Sequence, residues 1–337
     1  MEDVAARAGV SRALVSIVFR DLPGASPENR ERVRRAAAEI GFRPDRRASL
    51  LGSKRTNLVG VAFGVGHEFH GDLIAALYSA AGERRLELVL SGVTEHRTEQ
   101  QAVAELLAFR CDAVLLLGPT LSAADLTAIA GDRPVVALAR KVTATGVDVV
   151  RTDDELGGRL ATEHLLGLGH RTVVHLDGRR APGGAERRRG FLAAMRSAGL
   201  PDQAHLVPGG LTESDGVAAA RELLAERSAP QHDDPQPTAV VAFNDQCAIG
   251  FLATLRDADV RVPDDVSLVG YDDSRLAHAS WTRLTTVRQD AGTLAVRAVD
   301  RVLEHLAGDS PSGSRATEEV LVPPTLVIRS TTARPAR

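Results

Sequence analysis

Gly64-Val65-Gly66 and His67-Glu68-Phe69-His70 are the stretches whose residue types and spacing come nearest to chemistry. The glycines follow an apolar run and would suit a phosphate-cradling turn, but no third glycine arrives at the spacing of a dinucleotide fingerprint. The histidines lack the His-Glu-x-x-His spacing that sets two imidazoles on one helical face for zinc. Surface or pocket histidines are the simpler reading. Cys111 and Cys247 stand apart in apolar runs, which excludes a CxxC metal site and a disulfide scaffold. No Ser/His/Asp or Cys/His order stands out either. The expectation is a protein that is not an enzyme and carries no cofactor or metal.

The elements that would have to position any site come next. A chain of 337 residues can form two or three compact units, and 44% hydrophobic with 25% charged residues is ordinary for a soluble globular protein. No apolar stretch reaches the ~18 residues of a membrane span, and the N-terminus has no export-signal pattern. With two isolated cysteines, this points to the cytoplasm. The net charge of −3 hides an asymmetry: residues 1–56 hold twelve Lys+Arg against seven Asp+Glu, and the remainder holds 29 against 37. A small basic module on a larger acidic body suits a polyanion reader with a separate partner surface, although a solvated arginine-rich face would give the same count.

The basic module reads as three short helices. Asp3 can cap a helix over Val4–Ala8, Gly9-Val10 turns the chain, and Ser11 caps a second helix to about Phe19. Ser26 before Pro27 starts a third that Gly41 ends. Val4, Ala5, Ala8, Val10, Leu14, Val15, Val18, Val33, Ala36, Ala37 and Ile40 would form its core. Beyond residue 56 the pattern changes to short apolar runs: Leu58–Phe63, Leu86–Leu90, Ala113–Leu117 and Val135–Leu138, then Thr172–Leu176, Ala239–Ala242 and Val266–Gly270. Helical segments such as Glu155–Leu168 and Asp245–Arg256 separate them. Continuous apolar strands alternating with helices predict parallel sheets covered on both faces, and two such sets predict two similar lobes with a cleft between them. Ligands in such folds sit beyond the carboxyl ends of the strands.

The run from Glu2 to Ser16 (EDVAARAGVSRALVS) closely resembles the headpiece of the lactose/galactose repressor family. Further matches follow in order: Ser26–Val33, Ile40–Pro44, Ala161–Leu165 through Gly169-His170, Ala242–Asp245, Val262–Ser267, Gly270–Asp273 and Leu284–Gln289. They cover roughly residues 1–330, and a chance helix-turn-helix match would not bring the later motifs with it. The resemblance implies an α/β chain with an all-α helix-turn-helix headpiece and a two-lobed, periplasmic-binding-protein-like sensor. It places the headpiece at 1–45, a hinge helix and linker at 46–56, and the sensor at 57–330. Lobe 1 takes about 57–150 and 290–309, lobe 2 about 151–289 and 317–330, and 331–337 is a tail. The implied function is a transcriptional regulator, most naturally a repressor. Its operator affinity would answer to a sugar or related polar metabolite bound between the lobes.

The same resemblance assigns residues. Ser11, Arg12, Ala13, Ser16 and Ile17 match the surface that enters the major groove. Arg12 leads for direct readout, since arginine can donate two hydrogen bonds to guanine; a solvated helix arginine is the alternative. Ile17 either meets a thymine methyl or packs. Arg7, Asn29 and Arg30 match phosphate positions, which set register rather than sequence. Residues 46–52 match a hinge helix that orders on the operator, with Leu51 at the position of a minor-groove wedge. The usual Ala-Arg-Ser-Leu reads Ala48-Ser49-Leu50-Leu51, which removes one minor-groove arginine. Family members carry a few residues ahead of the Glu2 equivalent, so either the start lies upstream or this headpiece binds more weakly.

For the effector, Asn244, Asp272 and Arg187 match positions that face ligand, with a helix-cap or turn carboxylate as the alternative for Asp272. Gln289 either lies in a crossover or lines the cleft. The apolar side departs from the family: paired aromatics become Phe69-His70, a later aromatic becomes Leu211, and a sugar-gripping arginine becomes Ala185. Aromatic content is only 3%, so the stacking platform that sugars favour is depleted, and Trp281 is the candidate to replace it. The C-terminus lacks the leucine heptads of tetrameric members, which predicts a homodimer. Two rivals differ in class. A transporter's solute-binding protein would need an export signal and no basic headpiece, and a ligand-binding protein of this fold without DNA binding would need a disabled headpiece.

Overall fold

In the headpiece, backbone caps decide where helices begin and end. The computed structural model describes residues 1–19, 21–42, 55–227, 236–308 and 317–336. They fall into two compact units, Met1–Thr56 and Asn57–Arg337. In the first, α1 (Glu2–Ala8) ends at Gly9, whose φ of 63° lies in the left-handed region that glycine enters without penalty. Asp3 was expected to cap α1. Met1 holds that position instead, and Glu2 and Asp3 lie in the first turn, where carboxylates meet the positive end of the helix. The Ser11 hydroxyl caps α2 (Arg12–Phe19) by accepting from the Leu14 N–H at 3.2 Å. Ser26 caps α3 (Pro27–Glu39) by accepting from the Asn29 N–H at 3.3 Å.

Val4, Ala5, Ala8, Val15, Val18, Val33, Ala36 and Ala37 form the headpiece core. Ile40, expected among them, is 42% exposed, because it caps α3 beyond the last buried turn. Phe42 packs there instead, its ring 5.7 Å from that of Phe19.

The second unit holds two six-stranded sheets. In the first, β1 (Leu58–Gly64), β2 (Glu87–Val93), β3 (Ala113–Leu117), β4 (Val135–Leu138) and β5 (Val147–Thr152) run parallel, in the order β5-β4-β3-β1-β2. Strand alternation gives this sheet two apolar faces. Leu115, Leu117, Val136 and Leu138 pack on α4 (Glu68–Glu83), while Val114, Leu116, Val135 and Ala137 pack on α5 (Glu99–Ala108) and α6 (Ala123–Asp132).

The second sheet repeats the plan with β6 (Val173–Asp177), β7 (Ala204–Pro208), β8 (Ala239–Val241), β9 (Ser267–Asp272) and β10 (Thr285–Arg288), in the order β10-β9-β8-β6-β7. One face is covered by α7 (Asp154–Leu168) and α8 (Gly184–Ser197), the other by α9 (Glu213–Arg227) and α10 (Asp245–Asp257).

Both helix pairs cross on reciprocal glycines. A Cβ at Gly158 of α7 would lie 2.3 Å from the Arg187 carbonyl of α8, and one at Gly190 of α8 would lie 2.0 Å from the Glu155 carbonyl of α7. Gly216 of α9 and Gly250 of α10 repeat this against Cys247 and Glu213, at 2.0 and 1.9 Å. Backbone thus touches backbone, which fixes how each helix starts at the strand ends.

The chain passes between the sheets three times. After β5 it enters α7; after β10 it returns as α12 (Ala291–Ala307), which packs on the first sheet; after residue 322 it crosses once more; within the second lobe a short α11 (Arg275–His278) follows β9. The last passage corrects an expectation that put 317–330 in the second lobe. β11 (Glu319–Val322) pairs with β5 as the edge of the first sheet, and only β12 (Thr325–Val327) joins β10, antiparallel. Arg151 of β5 grips Glu319 at 2.6 Å, and Asp148 accepts from the Glu318 N–H at 2.9 Å, so the polar groups of β5 select this partner. β5 itself runs to Thr152, past the expected boundary at 150. Residues 331–336 are no loose tail: Thr331 and Ala333 bond along Leu268, Thr285 and Ser267 of the second sheet.

Two predictions follow from this packing. Gly190→Ala must push α7 and α8 apart and should lower sensor stability by about 1–3 kcal/mol. Gly167→Ala, on the open side of α7 with nothing near its Cβ, should be neutral or stabilising by up to ~1 kcal/mol. Thermal melts of the two variants compare the crossing with the surface directly.

The second concerns His175 of β6, which is fully buried, stacks on Phe191 at 5.3 Å and has Nδ1 3.1 Å from the Val241 carbonyl. Burial lowers its pKa from 6.5 to about 4. The unfolded chain takes up a proton below about 6.5 while the folded chain resists, so stability falls as pH drops through that window, by on the order of 3 kcal/mol. His175→Asn, which keeps a donor and cannot titrate, should flatten the loss of Tm between pH 6.5 and 4.

Candidate functional site

At the carboxyl ends of both sets of strands lies an open cleft. Phe69 and His70 of α4 reach it from the first lobe; Arg187 of α8, Leu211, Asn244 and Asp272 reach it from the second, and Gln289 from the middle passage. All seven expected effector residues therefore line one cavity.

Arg187 is the charge at its floor. The side chain is 7% exposed, its Nε donates to the Asp154 carboxylate at 2.9 Å, and an Nη donates to the Phe243 carbonyl at 2.8 Å. Its guanidinium lies 3.6 Å from the centre of the Tyr271 ring and 4.7 Å from that of Phe243. Asp272 stands 3.9 Å away and accepts from the Gln289 amide at 2.7 Å. Gln289 accepts in turn from the Thr152 hydroxyl at 2.6 Å, at the end of β5. Gln289 thus lies in a crossover and lines the cleft; both alternatives hold. A polar chain from Thr152 through Gln289, Asp272 and Arg187 to Asp154 joins the two lobes.

Burial pushes Asp272 up to about 6, and Arg187 opposes the shift. Asp245, wholly buried, is also raised by burial and by the neighbouring Asp272. It accepts from the Ser274 N–H, the Ser274 hydroxyl and the Thr286 hydroxyl at 2.7, 3.0 and 2.6 Å. Asn244 caps α10, accepting from the Cys247 N–H at 2.8 Å and donating to the Leu211 carbonyl at 3.0 Å. Leu211 therefore offers the site a backbone anchor for Asn244 as well as an apolar wall. Across the cleft, His70 places Nδ1 3.1 Å from the Gly64 N–H, with the His67 ring 4.7 Å away. Burial, helped by His67, pushes His70 down to about 3, so the imidazole is neutral at physiological pH.

Trp281 does not supply the missing stacking surface. It is 52% exposed against Arg256, away from the cleft, because the segment after α11 runs along the outside of the lobe. Sequence reasoning missed Gln246, Ser274 and Glu68 as lining residues, and His67, read as a surface or pocket histidine, lines the cavity too. Gln246 and Ser274 each lie two residues after a residue that was found, on the same helix start or strand end.

In the headpiece, Ser11, Arg12 and Ala13 are exposed on the first turn of α2, and Ser16 and Ile17 are half-buried on the next. Among the described residues Arg12 meets only Glu2, at 3.3 Å on an open surface, a pair too weak to hold it from another acceptor. Arg7 pairs with Glu39 at 2.6 Å, and Asn29 accepts from Arg32 at 2.9 Å. Arg30, expected on phosphate, turns inward: it bonds Asp21 at 2.6 Å and the Leu22 and Ala25 carbonyls, stapling the loop before α3. Arg32, Arg34 and Arg35 stand exposed on α3. Leu51 and the hinge at 46–52 lie outside the described residues.

Among the described residues no helix is long and apolar enough to cross a membrane. Residues 1–45 match the family of bacterial regulatory proteins called the lacI family, and residues 162–332 match the periplasmic binding protein-like domain. The HTH-type transcriptional regulator GalR of Salmonella typhimurium is 33% identical over 99% of this chain and 96% of its own length. A LacI transcriptional regulator from a Rhodococcus species superposes with a TM-score of 0.76, at 44% identity over 82% of this chain and 98% of its own. The lac repressor dimer bound to operator and the anti-inducer ONPF superposes at 0.79, 28% identical over 98% of both chains. A helix-turn-helix headpiece, two lobes with three passages, and similarity along the whole length make this chain a DNA-binding transcriptional regulator of the lacI family.

Proposed function

We propose that this chain is a repressor that binds a near-palindromic operator as a homodimer in the bacterial cytoplasm and releases or grips it according to a small polar effector in the cleft. The observation that carries the reading is the polar chain from Thr152 to Asp154, because its members lie on both lobes and in one passage between them. A ligand that bonds Asp272 competes for or completes this chain, so it stabilises one lobe arrangement over another. A difference of a few kcal/mol between arrangements is what effector control requires. Arg12, Ser11 and Ala13 read bases in this scheme. Arg7 and Asn29 hold phosphate, and Arg30 contributes by shaping the loop.

Arg12→Ala should cost about 1–3 kcal/mol on the operator while leaving binding to scrambled duplex nearly unchanged, since the latter rests on phosphate charge. Gel-shift titrations on both duplexes test it; equal losses would remove Arg12 from base readout. In the cleft, Asn244→Ala and Asp272→Ala should each weaken effector binding by ~1–3 kcal/mol, because either leaves ligand polar groups unpaired in a desolvated site. Calorimetry that shows unaltered affinity in both variants would take these residues out of the effector site. Light scattering should give the mass of a dimer at micromolar protein.

A further inference from the structure

We propose that the cleft selects an uncharged, donor-rich effector and rejects the phosphate ester or carboxylate of the same skeleton. The inference rests on the effector reading above. Helix starts normally invite anions, since their free N–H groups and dipole point at the ligand. Three helices, α4, α8 and α10, start at this cleft, yet each brings its own acidic residue: Glu68 lines the cavity, while Asp245 is bonded to Ser274 and Thr286 and Glu186 to Arg189. Glu68 is the first residue of α4, Asp245 the first of α10, and Glu186 lies in the first turn of α8. The Asp154 carboxylate adds a further charge against Gly183, the residue that caps α8.

Among the described residues, the cation in the lining, Arg187, already has carboxylate partners. Arg187 is committed to Asp154, to the Phe243 carbonyl and to two ring faces, with Asp272 at 3.9 Å. His67 and His70 are both held toward the neutral form by burial. Outside the lining, Arg275 faces Glu68 at 3.6 Å. A phosphate or carboxylate in the cavity would therefore sit beside Asp272, where the one cation of the lining, Arg187, already faces two carboxylates, Asp154 and Asp272. A hydroxyl or amide of the ligand would instead donate to Asp272, and the neutral groups of Gln246 and Ser274 complete the lining.

The test is calorimetric titration of the full chain near neutral pH with matched sets: ribose and ribose 5-phosphate; galactose, galactose 1-phosphate and galacturonate. Inorganic phosphate serves as a probe that needs no knowledge of the effector. In any set that binds, the acidic member should bind at least about tenfold more weakly than its uncharged counterpart, the scale of like-charge discrimination at a desolvated site. Phosphate should leave the sensor Tm unchanged at matched ionic strength. Asp272→Asn should narrow the gap, and Glu68→Gln, at the half-exposed rim, should narrow it too even if the first variant folds poorly. An acidic member that binds as tightly as its uncharged partner, or phosphate that stabilises the unaltered cleft, overturns the proposal. A panel in which nothing binds to operator-competent protein overturns the sensor reading instead, and the phosphate measurement still judges charge selection alone.

Discussion

A guanidinium buried at the centre of the sensor is the constraint around which the rest is arranged. Removing such a charge from water costs several kcal/mol unless opposing charge and hydrogen bonds replace the solvent. Around Arg187 every replacement is present: Asp154 on one nitrogen, a carbonyl on another, Tyr271 and Phe243 over the faces, and Asp272 beyond. The partners come from α7, β9 and the loop after β8, so satisfying one side chain fixes three segments of the lobe. Taking away Asp154 would leave the arginine charged and under-paired. A structure that depends on this node must therefore hold α7 and α8 at one separation, and the glycines at 158 and 190 do so by bringing backbone onto backbone.

Much of the fold was legible because its strands are apolar along their whole length. Ala113–Leu117 and Val135–Leu138 are uninterrupted and buried on both faces, and the structure returns them with those bounds. β5, β10 and β11 escaped because Asp148, Arg151, Thr285, Thr286 and Glu319 break the apolar pattern. Those polar groups are in place because the passages between lobes meet there, and their partners come from 41 to 170 residues away in the chain. No local pattern encodes a partner at that distance. This is why the segment before β12 was assigned to the wrong lobe.

The site was read more fully than the fold around it, though by resemblance rather than by residue pattern. Asn244, Asp272 and Gln289 carry polar atoms at the ends of recognisable motifs, and each lines the cavity. What sequence could not convey is how far these groups are already committed. Asn244 spends its carbonyl oxygen on a cap and an amide hydrogen on Leu211, and Arg187 gives its Nε and one Nη to structure. Arg30 shows the same limit in the headpiece: an arginine at a phosphate position turned out to be a staple for its own loop.

The edge strand β11 has a consequence for how the protein is made. The first lobe draws nearly all its strands from residues 58–152, which a ribosome releases early, but its outer strand is Glu319–Val322. Until residues 318–322 have been made, β5 presents a bare row of backbone donors and acceptors, and the buried Asp148 lacks the Glu318 N–H from which it will accept. Unpaired strand edges on a nascent chain are sites for association with other chains, and pairing across so long a loop is slow. Completion of the first sensor lobe to emerge is thus deferred until after the strands of the second have been made. A chain cut short by a premature stop codon would lose the seal on the lobe furthest from the lesion in sequence.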